Sequence, residues 1–118
     1  MKYDQKKVGK ITVIRIREKG INAHKAPNVK TALLGLILEE GEQILINLQD
    51  VESMDSTGLG TLLFAIRQAE QHEKEICFCA MNLKIKFLVR IAQLEQVVDL
   101  FDSEEEALKQ MVEDKAGG

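Results

Sequence analysis

The side chains able to do chemistry fall into three small groups. Cys77 and Cys79 sit two apart inside a short apolar run. Zinc knuckles and redox pairs need Cys-x-x-Cys spacing, so these two read as small core residues of a strand, in reduced form. His24 and His72 stand far apart, with no Cys or Glu spaced to complete a metal set. His72 follows a helical pattern and reads as solvated. His24 falls in a loop, where a contact role fits better than a ligand or general base. Ser53, Ser56 and Thr57 carry hydroxyls, yet no Gly-x-Ser-x-Gly elbow precedes a helix. Gly58-Leu59-Gly60 lacks the full dinucleotide fingerprint, and no Gly-Lys-Ser/Thr phosphate loop is present. Asp50, Glu52 and Asp55 resemble an acid–base set only on paper; before a helix they read as loop and cap residues. No catalytic set, metal or cofactor is expected.

What remains is Met54-Asp55-Ser56-Thr57-Gly58-Leu59-Gly60. One reading is structural: Asp55 or Ser56 caps a helix, and the glycines allow a turn and close packing. The other is that a hydroxyl at a helix mouth is presented for modification. A phosphate there adds ~1.5–2 negative charges beside free backbone N–H groups. Asp55 and Glu52 oppose it, so the phosphate would change the surface without being deeply buried.

Several elements must position this segment. Ile11, Val13, Ile14 and Ile16 nearly alternate with polar residues, as in a half-buried strand. Gly9 marks the turn before it, Tyr3 to Lys7 reads as a polar edge strand, and Gly20 ends the second strand. Pro27 opens a helix carrying Val29, Leu33, Leu36 and Ile37, which Gly41 stops. Ile44 to Leu48 and Ile76 to Ala80 are continuous apolar runs, the pattern of strands covered on both faces. Between them Leu59, Leu62, Leu63, Ile66 and Ala69 repeat at helical intervals. Phe87, Leu88, Ile91 and Leu94 define a third helix, with Asn82 as its cap. Gln96 to Leu100 reads as a last strand. Ser103 and Glu106 form a capping box for a helix whose Ala107, Leu108, Met111 and Val112 face inward. The order β-β-α-β-α-β-α-β-α predicts an α/β fold, a mostly parallel sheet with helices packed on it. The loops at 20–27, 49–60 and 80–83 then lie at the carboxyl ends of strands, where function gathers.

With 118 residues, the chain is long enough for one domain with its own core, expected over 1–118 with 114–118 frayed. Sixteen Lys and Arg stand against 19 Asp and Glu, for a net charge of −3. Interspersed signs and 4% aromatic residues leave no basic, base-stacking footprint for nucleic acid. The longest apolar stretch, Ala32 to Leu38, falls well short of the ~18 residues of a membrane span. The polar start Met1-Lys2-Tyr3-Asp4 is unlike a signal peptide, so a cytoplasmic protein is expected.

Leu48-Gln49-Asp50-Val51-Glu52-Ser53-Met54-Asp55-Ser56-Thr57-Gly58-Leu59-Gly60 resembles the signature of the STAS domain, as found in bacterial anti-sigma factor antagonists. The element order and the Phe87-Leu88 to Leu94 segment resemble the family too, as does Ala26-Pro27. The resemblance implies an antagonist that binds an anti-sigma factor serine kinase when unphosphorylated, and so frees a sigma factor. It implies phosphorylation by that kinase at Ser56, with Thr57 as the neighbouring hydroxyl, and reset by a metal-dependent serine phosphatase. The contact surface it implies comprises Asn22, His24, Asp55, Ser56, Thr57, Gly58, Leu59 and Gly60, the glycines admitting the partner's backbone. One position departs from the family: Asn22 stands where an Asp is usual, keeping size and hydrogen bonding but not charge. That departure supports an alternative, a non-switching STAS module that binds or scaffolds within a signalling assembly. A small enzyme using Ser56 with His24 is the rival from another class.

Overall fold

A computed structural model describes residues 1–39 and 41–117, with side chains through Glu113. The apolar runs, with the polar Tyr3 to Lys7 stretch at one edge, become the strands of a five-stranded sheet in the order β1-β2-β4-β6-β7. These are β1 (Tyr3–Val8), β2 (Ile11–Ile16), β4 (Gln43–Asn47), β6 (Glu75–Cys79) and β7 (Asp99–Phe101). Gly9, at φ +59°, turns β1 back antiparallel onto β2; every other pairing is parallel. All five residues of β4 are buried, which is why that stretch is apolar without alternation. Each buried Ile or Leu contributes ~1.5–3 kcal/mol.

Helices α1 (Ala26–Glu39), α2 (Ser56–Gln71) and α3 (Leu83–Ile91) pack on one face. Val29, Leu33, Leu62, Ile66, Ile85 and Val89 meet Ile14, Ile44, Ile46 and Phe78 there. Helix α4 (Glu104–Gly117) lies on the opposite face, setting Ala107 and Met111 against Val13, Leu45, Cys77 and Cys79. Burial pushes the Cys79 thiol up to about 12, with the nearby Glu104 charge adding to it. Both cysteines should therefore ignore a thiol-specific disulfide reagent at pH 8 and react together on denaturation. Rapid labelling of the native chain would contradict this packing.

Two further strands are too short to show a periodicity. β3 (Gly20–Ile21) pairs in parallel with β5 (Ser53–Met54), so Gly20 belongs to a strand of its own instead of ending β2. The apolar spacing that marks α3 does not mark its buried face. Ile85 and Val89 are buried, Leu88 is half-buried, and Phe87 and Ile91 are each 64% exposed. Gln93, at φ +60°, ends that helical path, and buried Leu94 starts a separate 3-10 turn, Leu94–Gln96. The last strand consequently begins at Asp99, not Gln96. In α4 Val112 faces solvent and Leu108 is half-buried. The backbone of α4 is helical through Gly117, and Gly118, the last residue of the expected frayed tail, lies outside the described residues. Among the described residues, no helix is long and apolar enough to cross a membrane.

Candidate functional site

Pairing of β3 with β5 draws the 20–27 loop against the 49–60 loop. Glu52 N donates to Lys19 O at 2.7 Å and Asp55 N to Ile21 O at 3.4 Å, which extends the clasp at both ends. Asn82 brings in the third loop. Its Oδ1 accepts from Ile85 N at 2.9 Å, capping α3, while its Nδ2 donates to Glu52 O at 2.8 Å. The three loops anticipated from the strand order thus meet at one end of the sheet.

Asp55 joins two of them through one side chain. It is the N-cap of α2 in extended backbone, and Oδ1 accepts from Gly58 N at 2.8 Å. Oδ2 accepts from Ala23 N at 3.1 Å, tying the helix start to the neighbouring loop. Both carboxylate oxygens are therefore occupied by backbone donors. Asp55→Ala should lower stability by about 1–2 kcal/mol in urea unfolding, whereas Asp55→Asn should lose less because it keeps one acceptor. Equal losses would separate the effect from capping. Asp50 and Glu52, expected as further cap residues, take other roles. The Asp50 carboxylate accepts from Arg15 Nε and Nη2 at 2.8 and 2.9 Å, and pairs with Arg17 at 3.1 Å.

Asn22 starts the turn into α1. Its Oδ1 accepts from Lys25 N at 3.1 Å, and its backbone carbonyl accepts from Ala26 N at 2.8 Å. This work needs a side-chain oxygen but no charge, so Asn serves it as well as Asp. His24 is exposed. Ser56 and Thr57 are exposed in the first turn of α2, and among the described residues the Ser56 hydroxyl has no hydrogen-bond partner. Leu59 is half-buried and Gly60 is exposed, with open space where a Cβ would stand.

Gly58 corrects the sequence reading. It is buried, and a Cβ placed there would lie 1.9 Å from Ile21 O and 2.8 Å from Met54 Cγ. The close approach that it permits is made by the chain's own β3, not by a partner.

Sequence reasoning missed Glu18. This carboxylate is 9% exposed, accepts from Lys2 N at 3.0 Å and pairs with Lys25 Nζ at 2.7 Å, fixing the 22–26 turn from below. Nothing in the charged run Arg15 to Lys19 singles it out. The Lys25 ammonium, then the Lys2 amide, hold Glu18 below the usual carboxylate range, and Arg15 does so for Asp50. A carboxylate that is more acidic folded than unfolded stabilises fully above its unfolded pKa of ~4. That contribution is lost as pH falls through the folded value. The thermal unfolding temperature should therefore fall below about pH 4, and Glu18→Gln should flatten that decline. An unchanged slope would show that the Glu18 contact is not maintained in solution. Among the described residues, no cluster of His, Cys, Asp and Glu is arranged to hold a metal.

The fold has counterparts among known proteins. Residues 2–107 match the STAS domain family. The anti-sigma-B factor antagonist of Listeria monocytogenes is 33% identical over 86 residues, which span 73% of this chain and 75% of that protein. An anti-sigma-factor antagonist (STAS) domain protein from Planctomyces limnophilus superposes with a TM-score of 0.82 at 15% identity, covering 93% and 97% of the two chains. The Bacillus cell fate determinant SpoIIAA, in its phosphorylated form, gives 0.69 at 19% identity, over 93% and 99%. These structural likenesses carry the fold; the family match carries membership. With a match over nearly its whole length and the parallel sheet, clasp and capped α2 in place, the chain belongs to the STAS domain family.

Proposed function

We propose that the chain is an anti-sigma factor antagonist, acting in the cytoplasm by binding an anti-sigma factor that is also a serine kinase. Ser56 is the residue this kinase phosphorylates, and a serine phosphatase reverses the step. The observation that carries the reading is the exposed, unpartnered Ser56 hydroxyl at the mouth of a helix whose cap is already occupied. Because Asp55 spends both oxygens on backbone donors, adding a phosphate beside it need not dismantle the clasp. The dianion would instead act where the partner docks, through desolvation and repulsion. The anti-sigma-B factor antagonists among its relatives support the partner class. Incubation with ATP and the purified anti-sigma serine kinase should add one phosphate to the peptide that carries Ser56, and none to the Ser56→Ala chain.

A second reading keeps the binding and drops the switch. Asn22 favours it, since the turn at 22–26 is complete without the carboxylate usual in the family. On this reading the kinase would bind yet leave the mass of the chain unchanged.

A further inference from the structure

Helix α3 presents two apolar faces. Ile85 and Val89 enter the core, while Leu83, Phe87 and Ile91 stand on the solvent side at 82%, 64% and 64% exposure. Spaced at i, i+4 and i+8, these three make one continuous stripe. On a helical projection Lys84 borders it on one side and Arg90 on the other. Neither cation has an ion pair among the described residues, and α3 contains no acidic residue. Two cations thus flank exposed apolar surface on a helix that carries no acid of its own.

The position of the stripe points to its occupant. Leu83 and Lys84 share a surface notch with Glu52 and Asn82, and Asn82 bonds the Glu52 carbonyl at the foot of the segment that leads to Ser56. The stripe is therefore continuous with the loop cluster. Three side chains also supply well under the ~800 Å² per partner that a stable interface buries, so the stripe suits one wing of a larger contact. Glu52, Glu95 and Asp102 border the same face, so a uniformly anionic membrane meets repulsion there, whereas a protein can set single carboxylates opposite Lys84 and Arg90 alone.

We infer that α3 is the second half of the docking surface. It receives an apolar ridge of the protein partner whose flanks carry Asp or Glu. The inference rests on the reading that the Ser56 surface docks an anti-sigma serine kinase, and it adds the chemistry of a distinct segment of that partner. The stripe supplies apolar burial, and Lys84 and Arg90 fix the orientation through charge.

The test uses the full chain and the purified anti-sigma serine kinases of the source organism, each titrated singly by calorimetry. Phe87→Ser with Ile91→Ser should weaken binding at least about tenfold, with the unfolding temperature measured alongside, since both positions are solvent-facing. Lys84→Glu with Arg90→Glu should also weaken it about tenfold and reduce its sensitivity to salt. If Ser56→Asp abolishes binding but the α3 variants bind like the parent, the α3 inference is overturned and the Ser56 reading stands. If no kinase binds the parent chain, the Ser56 reading fails, and the inference with it. Tighter binding after charge reversal would overturn the acidic flanks. A dimer in sedimentation, or cosedimentation with phosphatidylserine vesicles, that Phe87→Ser abolishes would overturn the choice of occupant.

Discussion

Gly58→Ala should destabilise the chain by about 3 kcal/mol, the upper range for forcing a methyl group into packed backbone. The new Cβ would stand 1.9 Å from Ile21 O, and backbone cannot yield as the end of a flexible side chain can. Relief requires α2 to move away from β3, which loosens the Asp55 bonds to Gly58 N and Ala23 N together. The effect should appear as a lower unfolding midpoint in urea with an unchanged denaturant slope. Gly60→Ala is the internal control. It also sits in the first turns of α2 but meets open space, so stability should hold or rise slightly. If Gly58→Ala left the midpoint unchanged and weakened only partner binding, Gly58 would be a contact residue after all.

Ser56→Asp should weaken binding of the anti-sigma serine kinase by about a hundredfold while leaving the fold unchanged. Like charges brought together in a contact cost several kcal/mol, and each ~1.4 kcal/mol is tenfold. The fold should tolerate the change because Ser56 is exposed and acidic groups suit a helix N-terminus. Ser56→Ala should bind normally and resist modification, separating the hydroxyl's chemistry from its contact value. A Ser56→Asp chain that bound as tightly as the parent would argue for the non-switching module.

The difference between these two neighbours explains what the sequence reveals and what it conceals. Asp-Ser-Thr-Gly-Leu-Gly marks the segment as important, yet spacing alone does not say which residues face out. Ser56 and Gly58 are two apart on a helix and so point in different directions, one to water and one to β3. The large elements were legible because each strand and helix carries its own apolar pattern. β3 and β5 were not, since two residues cannot show alternation, and their pairing depends on contacts far apart in the chain. Helix α3 misled for a different reason. Both of its faces are apolar, so the hydrophobic pattern admits two orientations, and the larger side chains are the exposed ones. Glu18 was hidden because its partners come from elsewhere in the chain: Lys2 is set beside it by the β1–β2 pairing and Lys25 by the 22–26 turn.

The loop cluster is bonded in place within the chain itself. Asp55, Asn82 and Asn22 each use a side chain to satisfy backbone groups of a loop or helix start, so the surface around Ser56 is held by bonds that a phosphate need not break. The switch proposed here is therefore local electrostatics on a fixed surface, not a change of fold.

The most direct measurement is the dissociation constant of the purified anti-sigma serine kinase for the chain before and after stoichiometric phosphorylation, with the phosphate located by mass spectrometry. The phosphate should lie on Ser56, and binding should weaken by about two orders of magnitude. Phosphate on another residue, or equal affinity of the two forms, would contradict it.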